Sequence, residues 1–212
     1  MEDTDEEFEI NNYSRIRVDL SNKNVIIPAK MVLTFDHVLE NSFNAIIKNS
    51  RIKDKAITLL QDEFDNDIQD MRIISDSQSS RYTPVIENRS GEYIPLPVYG
   101  DGMKKMLTIL NAIINTENGV VLVDEFETAL HTSAMREVFS FVMDAARKCN
   151  VQLFMTTHSI EALDKMLDSA GENVNDIRVI RLKKKNGKMF SRIYNGEEAL
   201  KDRMDYNLEL RE

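Results

Sequence analysis

Two adjacent carboxylates, Asp124 and Glu125, end the apolar run Gly119-Val-Val-Leu-Val123. Such a run suits a strand buried on both faces, which would deliver both acids to the carboxyl edge of its sheet, where open α/β sheets bind their ligands. There Asp124 can hold magnesium, directly or through water, and Glu125 can orient or deprotonate the water that attacks a γ-phosphate. The plainer alternative is that the two acids only cap the positive end of the following helix. A second apolar run, Val151-Gln-Leu-Phe-Met155, ends in Thr156-Thr157-His158-Ser159 where another helix is expected to begin. His158 could hydrogen-bond a γ-phosphate oxygen and hold the attacking water, against the alternative of a packed strand-end histidine. Two strands ending in chemistry-bearing loops at one edge favour the functional reading of both. Upstream, Gly100-Asp101-Gly102-Met103-Lys104-Lys105 opens a helix with two glycines, so backbone amides can approach an anion while the helix dipole and lysines attract it.

These side chains need a scaffold, and the second half of the chain reads as one. The pattern predicts a helix over Asp101–Asn115, a strand at Gly119–Val123 and a helix over Ser133–Lys148. A strand at Val151–Met155, a helix over Ser159–Leu167 and strands near Ile177–Leu182 and Met189–Ile193 follow. Strand, helix, strand with apolar strands marks a parallel α/β sheet. In the helix opened by Gly100–Gly102, the stripe Met103, Met106, Leu107, Leu110, Ile113 and Ile114 reads as core packing. The first half is less regular. Residues 1–12 read as an acidic tail, and Arg15–Leu20 and Asn24–Pro28 as short strands. Helical spacing from Leu33 to Ile68, interrupted at Asn49-Ser-Arg51, suggests a helical pair. Met71–Ser75, Tyr82–Glu87 and Tyr93–Leu96, separated by turn-rich runs, suggest a small antiparallel unit.

Bulk composition narrows the function classes. With 212 residues, 42% hydrophobic and 30% charged, the chain can bury one good core and suits a soluble globular protein. A formal charge of -9 argues against general DNA affinity. The basic run Arg181-Leu-Lys-Lys-Lys185, with Lys188 and Arg192, reads first as a solvated hairpin and only second as a nucleic-acid contact, since no aromatic platform accompanies it. The single cysteine, Cys149, excludes an internal disulfide and fits a reducing cytoplasm. Nothing approaches the ~20 apolar residues of a membrane helix, and the acidic start is the reverse of a secretory signal, so no membrane partner is expected.

V-V-L-V-D-E resembles the Walker B strand of ATP-binding-cassette-type ATPases, T-T-H-S resembles their H-loop, and E-T-A-L-H between them resembles the D-loop. Tyr99–Lys105 sits where those ATPases carry the signature loop, which reaches across a dimer to the partner's nucleotide. Within that superfamily, I-P-L-P-V-Y-G-D-G-M-K-K, D-E-F-E-T-A-L-H and N-V-Q-L-F-M-T-T-H-S-I-E-A-L resemble AAA-type ATP-binding proteins related to the overcoming-lysogenization-defect ATPases. The resemblance spans roughly Tyr93 to the C-terminus, including Asp205–Arg211. It implies a P-loop NTPase-like, ABC-type head with a parallel sheet, flanking helices and a small antiparallel and helical insertion. It also implies ATP and Mg2+ as ligands, ATP bound between two heads in a homodimer or head-to-head assembly, and coupling to an effector in phage defence or DNA repair. Residue by residue, Asp124 would serve the metal, and Glu125 and His158 catalysis. Gly100, Asp101, Gly102, Lys104 and His131 would contact nucleotide.

Two departures stand out. Gly100-Asp101-Gly102 lacks the serine of the transporter-like signature, and Asp101 could instead cap the helix after it. No G-x-x-x-x-G-K-[ST] occurs in the sequence, and Asn186-Gly187-Lys188 reads as a turn. The expectation is therefore a head whose phosphate-cradling N-terminal part lies on a Walker A-bearing segment outside this sequence, organised as a tail over 1–12, an N-terminal region with the insertion over 13–97, and an ATPase core over 98–212. One rival is a non-catalytic dimerisation or regulatory module of the same fold. Another is a metal-dependent hydrolase using Asp124, Glu125, Glu127, His131 and His158, which lacks a tight ligand motif such as H-E-x-x-H.

Overall fold

The computed structural model describes residues 15–20, 23–36, 43–75, 82–185 and 187–206. The acidic tail, the turn-rich run 76–81, the apolar positions Val38 and Leu39, Asn186 and residues 207–212 lie outside the described residues.

The sheet that carries the two acids has four strands in the order β1 (Arg15–Leu20), β2 (Lys23–Val32), β6 (Val120–Val123), β7 (Gln152–Met155). β1 and the first half of β2 form an antiparallel pair that reaches Arg15↔Pro28. Pro28 has no N–H to donate, and the strand then changes partner. From Ala29 to Val32, β2 runs parallel to Val120–Val123 of β6, and β6 runs parallel to β7 with Val123 opposite Met155. The expected strand Asn24–Pro28 is thus only half of β2: Lys30 interrupts the apolar run, but parallel pairing with β6 carries the strand through it.

Helices flank the sheet: α1 (Asn44–Lys48), α2 (Ser50–Glu63), α3 (Asp101–Asn115), α4 (Thr132–Lys148), α5 (Ile160–Ala170) and α6 (Gly196–Tyr206). The predicted break at Asn49 separates α1 from α2, where the Asn49 side chain accepts a hydrogen bond from the Ile52 amide and caps α2. α3 differs from the stripe expected for it. Every residue from Gly102 to Ile113 except Lys104 is buried, because α3 packs on β2 and β6 while α1 and α4 also lie against it. A helix covered on several sides has no solvent face to reserve for polar residues. Cys149 is buried at the end of α4, and burial raises its thiol pKa.

Two smaller units complete the described chain. β3 (Ile68–Ser75), β4 (Tyr82–Asn88) and β5 (Tyr93–Pro95) form the antiparallel sheet, with a register shift between Ile68 and Asp70 that hides the start of β3 from a simple alternation count. β8 (Arg178–Lys185) and β9 (Lys188–Asn195) form an antiparallel hairpin. Its basic residues are mostly exposed, and the Arg192 guanidinium lies 4.6 Å from the centroid of the Tyr194 ring. No helix among the described residues is long and apolar enough to cross a membrane.

Candidate functional site

Three strand ends meet at the carboxyl edge of the parallel sheet. The Asp124 amide donates to the Val32 carbonyl at 2.9 Å, the Thr156 amide to Val123 at 3.0 Å, and the Phe126 amide to Thr156 at 3.2 Å. The ladder therefore continues past the strands and fixes the backbone on both sides of Asp124. The end of β2 brings Thr34 to the same place, and its hydroxyl donates to Asp124 Oδ2 at 3.0 Å. The Thr156 hydroxyl donates to Asp124 Oδ1 at 2.7 Å and accepts from the Glu125 amide at 2.9 Å. Because that hydroxyl already accepts from the amide, its own proton is directed at the carboxylate. The bonds from Thr156 and Thr34, helped by the nearby Lys105 and His158 charges, hold the Asp124 pKa below the usual aspartate value despite slight burial.

Glu125 lies at φ 43, a left-handed conformation that a residue with a Cβ adopts at a cost of order 1–3 kcal/mol. The Thr128 hydroxyl donates to Glu125 Oε2 at 3.3 Å. Phe126 plugs the core directly below, its ring 4.9 Å from that of Phe139 in an edge-to-face pair. The His158 amide, in the loop between β7 and α5, donates to Glu127 Oε1 at 3.2 Å, while Glu127 Oε2 is buried without a hydrogen-bond partner. The His158 side chain is exposed. Ser159 caps α5 by accepting from the Ala162 amide at 3.2 Å.

The remaining sequence-derived candidates lie at the starts of α3 and α4. Gly100 occupies the cap position of α3 with no side-chain cap bond. The cap expected of Asp101 is therefore not made: Asp101 is the first helical residue, favourable beside the helix dipole, and pairs with Lys104 at 2.5 Å. Gly100 and Asp101 are exposed, whereas Gly102 is buried. A Cβ on Gly102 would lie 2.7 Å from the Ala129 carbonyl oxygen, so α3 and the segment after Glu125 approach as closely as they do only because this residue is glycine. Gly102→Ala is expected to cost about 1–3 kcal/mol through overpacking. A denaturant midpoint equal to wild type would refute that account. His131 is exposed and caps α4, with Nδ1 2.9 Å from Ser133 Oγ and 3.4 Å from the Ser133 amide that donates to it.

Sequence reading missed three members of the cluster: Thr34, Thr156 as a partner of Asp124, and Lys105. Thr156 carried a signal, being the first polar residue after β7. Thr34 is 90 residues from Asp124 and carried none, since the parallel pairing of β2 with β6 has no local signature. Lys105 is wholly buried, and its Nζ lies 3.5, 3.4 and 3.3 Å from the carbonyl oxygens of Leu33, Thr34 and Asp124. Among the described residues no group of three or more His, Cys, Asp or Glu side chains is arranged to hold a metal. The protein-only ligand cluster that the hydrolase rival needs is thus not found among them. What the edge offers is carboxylate and hydroxyl oxygen, the donor set of a hard cation that keeps water and phosphate as further ligands.

Residues 19–164 match the family described as "AAA domain, putative AbiEii toxin, Type IV TA system". An ATP/GTP phosphatase of Helicobacter pylori is 31% identical over 179 residues, which is 82% of this chain; the chain spans 46% of that protein's length. An uncharacterized protein of Methanocaldococcus jannaschii is 28% identical over 112 residues, covering 53% of this chain and 98% of that one. Among solved structures, one of an SMC ATPase, described in terms of ATP-driven dimerization and DNA-stimulated activation, superposes with a TM-score of 0.51 at 13% identity, over 79% of this chain and 94% of that one. The α/β fold, a parallel sheet with flanking helices, is a P-loop NTPase fold.

Proposed function

The chain belongs to the AAA-domain family that its residues 19–164 match, and from that premise we propose that it supplies the metal-binding and water-activating part of an ATP-hydrolysing head. The observation that carries the proposal is the Asp124 carboxylate at the carboxyl edge, held through both oxygens by the Thr34 and Thr156 hydroxyls, with Glu125 next to it in a left-handed turn. Asp124 would hold Mg2+ with Thr34 and Thr156 as its supports, and the ion would neutralise charge on the phosphates. Glu125, oriented by Thr128, accepts the proton of the attacking water. His158, in the adjoining loop, donates to the terminal phosphate. Catalysis of this kind is mostly charge placement, so the position of each group matters more than its intrinsic reactivity.

Within the superfamily we assign the head to the ABC-like, overcoming-lysogenization-defect-related class, completed by a Walker A-bearing segment and working in the cytoplasm. Two observations support completion by another segment. The sequence holds no G-x-x-x-x-G-K-[ST], and among the described residues β7 is paired with β6 on one side only, leaving Phe154 46% exposed at the rim of a parallel sheet. Strands in such sheets are normally covered. Gly100, Asp101, Lys104 and His131 form the surface that meets nucleotide on a second head, with Gly102 allowing the close approach behind it. The toxin named in the family's description supports an effector-coupled role, and phage defence or DNA repair is the setting we favour. Nucleic acid would act through the assembled head, by way of the basic hairpin.

Calorimetry of Mg·ATP binding to this chain, alone and joined to a Walker A-bearing segment, tests the proposal. Binding is expected only in the joined form. Absence of binding in both would sink the ATPase proposal for this polypeptide and favour the rival, a dimerisation or regulatory module.

A further inference from the structure

Lys105 is the one charged side chain among the described residues that is fully buried. A lysine ammonium has three donors and no acceptor, and taking it out of water is costly unless each donor finds a partner. Here the three partners are backbone carbonyls, at 3.5, 3.4 and 3.3 Å, and they belong to two different strand ends: Leu33 and Thr34 after β2, and Asp124 after β6. The same two strand ends carry the Thr34 hydroxyl and the Asp124 carboxylate, which bond each other at 3.0 Å. The ammonium thus closes a ring, main chain on one side and side chains on the other. Remove it, and the Thr34–Asp124 contact loses the tie that fixes its two backbones at one separation. The charges of the Asp124, Asp36, Glu127 and Glu125 carboxylates act in favour of the ammonium.

We propose that Lys105 is a positioning residue for the metal-binding carboxylate: from inside α3 it sets the spacing of the β2 and β6 ends, and so the place of Asp124. The idea rests on the ATPase proposal above, because it assumes that Asp124 meets a cation. Its competitor is a lysine that merely satisfies strand-end carbonyls and contributes to stability alone. Burial outweighs the carboxylate charges and lowers the lysine pKa from its ordinary value.

The two roles separate in a Mn2+ titration of nucleotide binding by the head joined to its Walker A-bearing segment, read beside nucleotide binding in EDTA and thermal unfolding. Lys105→Met, of similar length but without charge or donors, is expected to raise the Mn2+ midpoint by about 10-fold or more, the effect typical of losing a group that orients a metal ligand. Binding in EDTA should stay at the wild-type level. Lys105→Gln, neutral but still able to donate to carbonyls, should fall between the two and serves as the readout if the methionine variant does not fold. Asp124→Asn marks the full loss of the metal response. Wild-type Mn2+ midpoints in both lysine variants, with Asp124→Asn still defective, would overturn the positioning role and leave the ATPase proposal standing. Failure of both lysine variants to fold would assign Lys105 to stability and overturn it as well. No metal response in the wild-type assembly would overturn both proposals together.

Discussion

Glu125→Gln is expected to lower ATP turnover by the completed head about 100-fold or more, while Mg·ATP binding stays within a few-fold of wild type. The chemical reason is that an amide cannot take a proton from water, and a positioned general base contributes roughly 10²–10⁴-fold to rate. The structural reason for intact binding is that the substitution disturbs so little. The Glu125 amide still donates to the Thr156 hydroxyl, which keeps that hydroxyl aimed at Asp124. Thr128 can still donate to the side-chain carbonyl oxygen that replaces Oε2. The left-handed backbone at φ 43 is no harder for glutamine than for glutamate. Steady-state turnover and calorimetry on the same preparations give both quantities. Turnover within threefold of wild type would remove Glu125 from the catalytic role; lost binding would mean that the residue acts on the ground state rather than on the attacking water.

The parts of this site that were legible in the sequence are those fixed by short-range pattern. Short apolar runs that end in polar residues read as buried strands delivering those residues to a sheet edge, and both β6, ending in two acids, and β7, ending in Thr-Thr-His, declare themselves that way. The bounds of α3, the start and end of α4 to within one residue, and the start of α5 followed from period and flanking polar residues, with His131 and Ser159 at the N-terminal caps; α5 runs on to Ala170, three residues past the expected end. What stayed hidden depends on distance in the chain. The pairing of β2 with β6 joins Ala29 to Val120, and neither segment says which other segment it will lie beside. Without that pairing, Thr34 has no reason to be noticed and Lys105 looks like one more exposed lysine in a basic helix start. Lysine is among the residues least often fully buried, so a rule that reads it as solvated is wrong only where strand ends converge to hold it. Asp101 shows the opposite case: its type suggests a cap, yet the chain enters α3 one residue earlier, at Gly100, and the carboxylate serves the helix dipole and Lys104 instead.

Phe126→Ala is expected to destabilise the protein by about 3–5 kcal/mol, a large part of the roughly 5–15 kcal/mol typical of a whole domain. Phe126 is 1% exposed and follows the two acids directly, so the chain passes within three residues from the partly exposed Asp124 carboxylate to a ring in the core. Truncation would leave a ring-sized void between β6 and α4 and remove the edge-to-face pair with Phe139, about 0.5–1.5 kcal/mol of the total. Urea denaturation of Phe126→Ala, Phe139→Ala and the double variant isolates that pair term, and Phe126→Leu, which refills most of the volume, should cost distinctly less. A loss below 1 kcal/mol for Phe126→Ala would contradict the packing described here. The consequence reaches the site, because the Phe126 amide donates to the Thr156 carbonyl and so helps to hold the residue whose hydroxyl orients Asp124. The buried ring follows the left-handed turn at Glu125 directly, so the anchoring of Phe126 in the core and the strained backbone beside the carboxylates are one residue apart.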